Sequence, residues 1–104
     1  MSSYLVLDIY CRPCHWAAGG DPKQLQLAPR LARFVRDLRG GPIKAQSFTY
    51  KGQPVIPYRR HRPDGGVTWQ THCPHGHDKP IQEPRIAAAF DAFPPGTESM
   101  RVAL

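Results

Sequence analysis

Acidic residues are scarce in the middle of this sequence. Between Lys23 and Arg62 Asp37 is the only one, set against ten lysines and arginines. No apolar run approaches the roughly 20 residues a membrane-spanning helix requires. The opening stretch MSSYLVLDIYC has no basic segment, and Asp8 breaks its apolar run, so it does not read as a secretory signal. Cysteines number three, an odd count that argues against a disulfide framework. A cytoplasmic protein is the expectation. Catalytic patterns are missing too: there is no Ser-His-Asp arrangement, no phosphate-cradling glycine loop, and no His-x-Glu ahead of a Pro-Cys-x-x-Cys.

What is present is a chain of 104 residues with 12 prolines and 9 glycines. That length gives one domain near the lower limit for closing a core unaided, where a metal or a partner adds stability. The reading places a single domain over residues 1–95 and a short strand or loose tail over 96–104. The formal charge is +6, and its concentration between Lys23 and Arg62 suggests an anionic partner, nucleic acid first. A solvated face with no partner is the plainer alternative.

Ser3–Tyr10 alternates Leu5, Leu7 and Ile9 against Tyr4, Val6, Asp8 and Tyr10, the period of a strand with one buried face, and it ends at Cys11. AAGGDP (17–22) reads as a flexible turn. In APRLARFVRDLRGG, Leu31, Phe34, Val35 and Leu38 recur at helical spacing, Pro29 suits a first helical position and Gly40 a stop, so a helix is expected over about 29–39. Its outer side would offer Arg30, Arg33 and Arg36 to solvent. KAQSFTY and QPVIPYRRHR read as strands, the second at a sheet edge because of Pro54 and Pro57. RPDGGV is a turn, and VTWQTHC a further strand ending at Cys73. Ile86, Ala89, Phe90 and Phe93 predict a second amphipathic helix over about 84–93. The fold class expected is α+β: a small antiparallel sheet stapled by zinc, with two amphipathic helices.

The run YCRPCH (10–15) allows three kinds of chemistry. Cys-x-x-Cys-His is the attachment pattern of c-type haem, with His15 as axial ligand. CRPC after a strand resembles the active site of thioredoxin, where a helix start lowers the first thiol's pKa. A Cys-x-x-Cys turn also brings two thiolates onto one metal, and CPHGH (73–77) supplies further sulfur and imidazole at the end of a second strand. The third reading uses all three cysteines.

These two knuckles resemble those of zinc ribbons and treble-clef fingers, commonly Cys-Pro-x-Cys-Gly at the ends of hairpin strands. The resemblance covers Cys11, Cys14 and Cys73, and departs at residue 76, where glycine replaces the second cysteine of the later knuckle. The fourth ligand is then His77, with His75 and His15 as alternates. Asp78 is a candidate to orient His77, while His61 and His72 read as ordinary residues. Three thiolates make a poor Lewis acid and no Glu stands near either knuckle, so one structural Zn2+ and no catalysis are expected.

The resemblance implies a nucleic-acid-binding or polymerase-binding accessory role in transcription or translation. The residues that fit are Arg30, Arg33 and Arg36 on the expected helix, and Tyr58, Arg59, Arg60 and Arg62 on an exposed hairpin. Tyr50, Tyr58 and Trp69 are candidates for stacking on a single strand, with core packing the stronger reading for Trp69. The alternatives are an adaptor docking on an acidic protein surface, and a thiol oxidoreductase.

Overall fold

The computed structural model describes residues 4–104; Ser3, counted above in the first strand, lies outside them. In chain order the elements are β1 (Tyr4–Tyr10), α1 (Arg12–Ala17), a 3-10 segment (Pro22–Leu27), β2 (Arg30–Asp37), β3 (Lys44–Gln46), β4 (Phe48–Tyr50), β5 (Gln53–Val55), β6 (Tyr58–His61), β7 (Val67–Thr71), β8 (Lys79–Gln82), α2 (Glu83–Asp91) and β9 (Ser99–Ala103). Among the described residues these strands form a four-stranded sheet in the order β3-β2-β1-β9, a β4-β5 hairpin and a three-stranded sheet β6-β7-β8.

The expected fold class is therefore wrong. Strands dominate, in three sheets rather than one. The largest sheet is mixed, because β9 runs parallel to β1. A pair of amphipathic helices does not frame the sheet: residues 30–37, expected within the first helix, are strand β2, paired antiparallel to β1.

Pairing explains why strand wins there. Ala32 and Phe34 lie opposite Ile9 and Leu7 on the buried face, while Arg33 and Val35 lie opposite Asp8 and Val6 on the other. Asp8 is itself buried, and its carboxylate accepts from Arg33 Nε at 2.8 Å, Arg33 Nη2 at 3.2 Å and Arg30 Nη1 at 3.3 Å. A helix at 29–39 would withdraw those guanidinium groups and leave a carboxylate unpaired in an apolar strand, a change that costs several kcal/mol. Leu38, part of the supposed helical stripe, ends 50% exposed.

The main core lies between the four-stranded sheet and a layer made of β7, β8 and α2. Leu7, Ile9, Ala32 and Phe34 meet Trp69, Ile81, Ile86 and Phe90. Phe34 sits edge-on to Trp69 with ring centroids 5.1 Å apart, joining the two larger sheets. In α2, Ile86 and Phe90 are one helical turn apart and both buried, and Pro84 occupies the first turn, where its missing N–H is no loss. A second, small cluster consists of Cys11, Leu31 and Cys73, with Cys14 against it. Among the described residues no helix is long and apolar enough to cross a membrane.

Candidate metal centre

β1 delivers the first knuckle. Its register against β2 shifts between Ile9 and Tyr10, an irregularity that re-aims the strand end, and the Cys11 amide then bonds the Pro29 carbonyl at 3.0 Å. The chain turns at once into α1, for which Cys11 is the N-cap and Pro13 lies in the first turn. On a helical turn, residues three apart share a side, so Cys11 and Cys14 face the same way. α1 ends at Ala17, where the turn expected over 17–22 begins, and the 3-10 segment starts at Pro22.

The second knuckle is the loop of the β7-β8 hairpin, whose last pair is Thr71 with Lys79. The Gly76 amide bonds the Cys73 carbonyl at 2.9 Å, and Gly76 has φ +85, left-handed backbone that favours glycine. The residue that departs from the familiar knuckle is therefore the one that sets this turn, and it carries His77 back to the sulfurs. β8 intervenes between this knuckle and α2, so the knuckle does not run straight into a helix.

The two knuckles meet. The sulfurs of Cys11, Cys14 and Cys73 and one ring nitrogen of His77 all lie within 4.8 Å of one another. His77 Nδ1 stands 3.6, 3.4 and 3.6 Å from the sulfurs of Cys11, Cys14 and Cys73, and Cys14 Sγ stands 3.5 Å from Cys73 Sγ. A tetrahedron with metal–sulfur bonds of about 2.3 Å and metal–nitrogen bonds of about 2.0 Å has edges of about 3.8 Å between sulfurs and about 3.5 Å from sulfur to nitrogen. Those four separations lie within about 0.3 Å of these edges, so the residues fit a single ion. Cys11, Cys14, Cys73 and His77 form a cluster able to bind a metal.

Amide hydrogen bonds to sulfur support both knuckles: Cys14 N–H to Cys11, and His75 N–H to Cys73 at 3.4 Å. Burial pushes the Cys11 thiol up, and the neighbouring Cys73 adds to the rise against the opposing Cys14 amide. Burial, with Cys73 and Cys11 beside it, pushes Cys14 up to about 12. For Cys73 burial acts upward, but the His75 amide, His77 and the other two thiols outweigh it and bring the group down to about 7. A helix does begin at Cys11, as a thioredoxin-type site requires, yet both thiols of the Cys-x-x-Cys pair are raised and the depressed one lies outside it.

The alternates stand elsewhere. His15 is buried, and its Nε2 donates to the Asp21 carbonyl at 2.8 Å, closing the loop after α1. His75 contributes its amide, not its ring, to Cys73. Asp78 faces His72 Nδ1 at 3.3 Å rather than serving His77. Replacing His77 with alanine should lower metal affinity more than about 100-fold, beyond the range for groups that merely support a ligand. His75→Ala should keep one metal per chain. Competition with a chromophoric chelator measures both, and equal losses would reassign the fourth donor.

The basic residues separate into two groups. Arg30 and Arg33 are committed to Asp8, and Arg36 Nη2 pairs with Asp91 Oδ1 at 3.1 Å, so the expected free arginine face at 29–39 does not exist. Arg30 also lies over the Phe48 ring. Arg59 Nε stands 3.8 Å from Glu83 Oε1, and Arg62 Nε 3.4 Å from Asp64 Oδ1. Arg60 and Tyr58 are exposed on β6, Tyr58 by 66%. Trp69 is core, its Nε1 donating to Glu83 Oε1 at 3.3 Å, and Tyr50 is half-buried beside Lys51. Sequence reasoning missed Asp8 as the hub for two arginines; the signal was a lone carboxylate inside an apolar strand.

Compared with protein-family models, characterised proteins and solved structures, the chain matches none.

Proposed function

We propose that Cys11, Cys14, Cys73 and His77 hold one structural Zn2+ in a site of the zinc-ribbon or treble-clef kind, and that the protein is a non-catalytic accessory module binding single-stranded nucleic acid. Three thiolates with one imidazole are a common structural zinc set. Two knuckles borne on strand ends, one of them a hairpin loop, favour the comparison with those fingers.

The observation that carries the nucleic-acid reading is the outer face of β6-β7-β8. Register places Tyr58, Gln70 and Pro80 in one row and Arg60, Thr68 and Gln82 in the next, opposite the face holding Trp69 and Ile81. These rows offer an exposed aromatic ring, a guanidinium and two amides, with no carboxylate among them. Such a face suits a strand whose bases stack and whose phosphates need a cation.

Anisotropy with a labelled single-stranded oligonucleotide tests this. Tyr58→Ala should weaken binding by about 1–3 kcal/mol, the usual loss of one stacking partner. Arg60→Ala should weaken it across many sequences and flatten the salt dependence by about one phosphate contact. Arg101→Ala, exposed on β9 in the other sheet, should leave affinity nearly unchanged. No binding at low salt, combined with a partner retained after nuclease treatment, would favour an adaptor for an acidic protein surface instead.

A further inference from the structure

A cleft of about 710 Å3 opens between the loop joining β2 to β3, the β6-β7 turn and the first turn of α2, and none of the four clustered metal-site residues lines it. Its size lies within the roughly 300–1,000 Å3 of small-molecule sites. Arg36, from β2, and Arg59, from β6, both line it.

The Arg36 guanidinium is incompletely satisfied. Arg36 gives one terminal nitrogen to Asp91, but its Nε is fully buried with no hydrogen-bond partner. A buried donor left unpaired is costly, and each one in a native protein asks for a cause. Arg59 stands 3.8 Å from Glu83, its Nη1 donates to His61 Nε2 at 3.0 Å, and its guanidinium lies over the Trp69 ring. Glu83 is the opposing charge in the cleft, and its Oε1 is engaged by Trp69 Nε1. Within the lining two cations meet one anion, and Asp91, outside the lining, offsets Arg36. The N-cap of α2, Gln82, makes no side-chain hydrogen bond, so no side chain caps that helix start, an electropositive end that adds to the same field. Ile43, Val67 and Ala87 supply an apolar wall.

We propose that this cleft binds a phosphomonoester, with Arg36 and Arg59 gripping the phosphoryl group and the apolar wall receiving the body of the molecule. Planar guanidinium groups match phosphate oxygens in pairs. The site is separate from the outer sheet face, because Arg59 and Arg60 project to opposite sides of β6. Either a free mononucleotide or the terminal phosphate of a strand carries the same chemistry.

Titration of 15N-labelled protein with inorganic phosphate and then with AMP tests the assignment. Saturable shifts are expected at the Gly41, Gly65 and Gly66 amides and the Arg36 and Arg59 Nε–H signals, with Kd of about 1 mM or tighter and AMP binding more tightly than phosphate. Arg59→Gln, at a partly exposed position that should not disturb folding, should weaken AMP at least about fivefold, and Glu83→Gln should strengthen it. A 5′-phosphorylated oligonucleotide that shifts these signals where its 5′-hydroxyl twin does not assigns the strand end as the source; a response to AMP alone assigns the free nucleotide. The proposal is overturned by an absence of saturation, by shifts confined to Tyr58 and Arg60, by indifference to both variants, or by acetate binding as well as phosphate.

Discussion

Cys73→Ser, or a chelator strong enough to strip the metal, should lower the melting temperature by roughly 12–40 °C. That follows from a loss of about 3–5 kcal/mol, at about 4–8 °C per kcal/mol for a domain of this size. The reasoning starts from the second cluster. Cys11 is 1% and Cys73 6% exposed, and among the described residues the only large apolar side chain clustered with them is Leu31. Such a cluster has little cohesion of its own, and an ion bonded to four side chains would supply most of it. Raised thiols at Cys11 and Cys14 mean that both are protonated at neutral pH when no metal is bound. The metal-free state therefore suffers from lost bonds, not from repulsion between thiolates. The same protons must leave before a metal enters, so apparent affinity falls as pH falls. Serine nearly matches cysteine in size, so a cavity does not account for the loss. Circular dichroism melts with chelator, and after re-addition of zinc, measure it. A shift within about 2 °C, under about half a kcal/mol, would show that the clustered donors hold nothing that matters to folding.

Phe34→Ala carries the second large effect, about 3–5 kcal/mol in urea unfolding. Phe34 is wholly buried at the seam between the four-stranded and three-stranded sheets, and its edge-on contact with Trp69 adds about 0.5–1.5 kcal/mol beyond burial. Leu38→Ala is the control. In a helix spanning 29–39, Leu38 would share the buried stripe with Phe34 and cost nearly as much. On the observed strand it lies half exposed just beyond β2, and its loss should stay within about 0.5 kcal/mol.

That contrast shows what was legible in the sequence. The metal cluster could be read because each knuckle is a local object: two residues separate Cys11 from Cys14, three separate Cys73 from His77, and each pair follows a strand with clean alternation. Glycine at 76 looked like a missing ligand, whereas its left-handed backbone is what lets the imidazole arrive. β2 was misread because Leu31, Phe34, Val35 and Leu38 fit a helical period, while the strand pattern emerges only against β1. Its decisive partner, Asp8, lies 25 residues from Arg33, and no local rule couples them. The parallel pairing of β9 with β1 is more distant still. For the arginines, composition revealed the charge but not its neutralisation, since their carboxylates come from Asp8 and Asp91 on other elements.

The place of β9 bears on the order in which the chain assembles. The Leu104 amide bonds the Tyr10 carbonyl at 3.2 Å and the Arg12 amide bonds the Leu104 carbonyl at 3.2 Å, so the last described residue is fastened to the entrance of the first knuckle. During synthesis β1 must wait, one edge bare, until residues 99–103 have emerged. Closure over such separations is slow, since its entropy is lost before contacts return it. A ribosome-bound chain halted before Ser99 should thus remain protease-sensitive around β1 even with metal supplied.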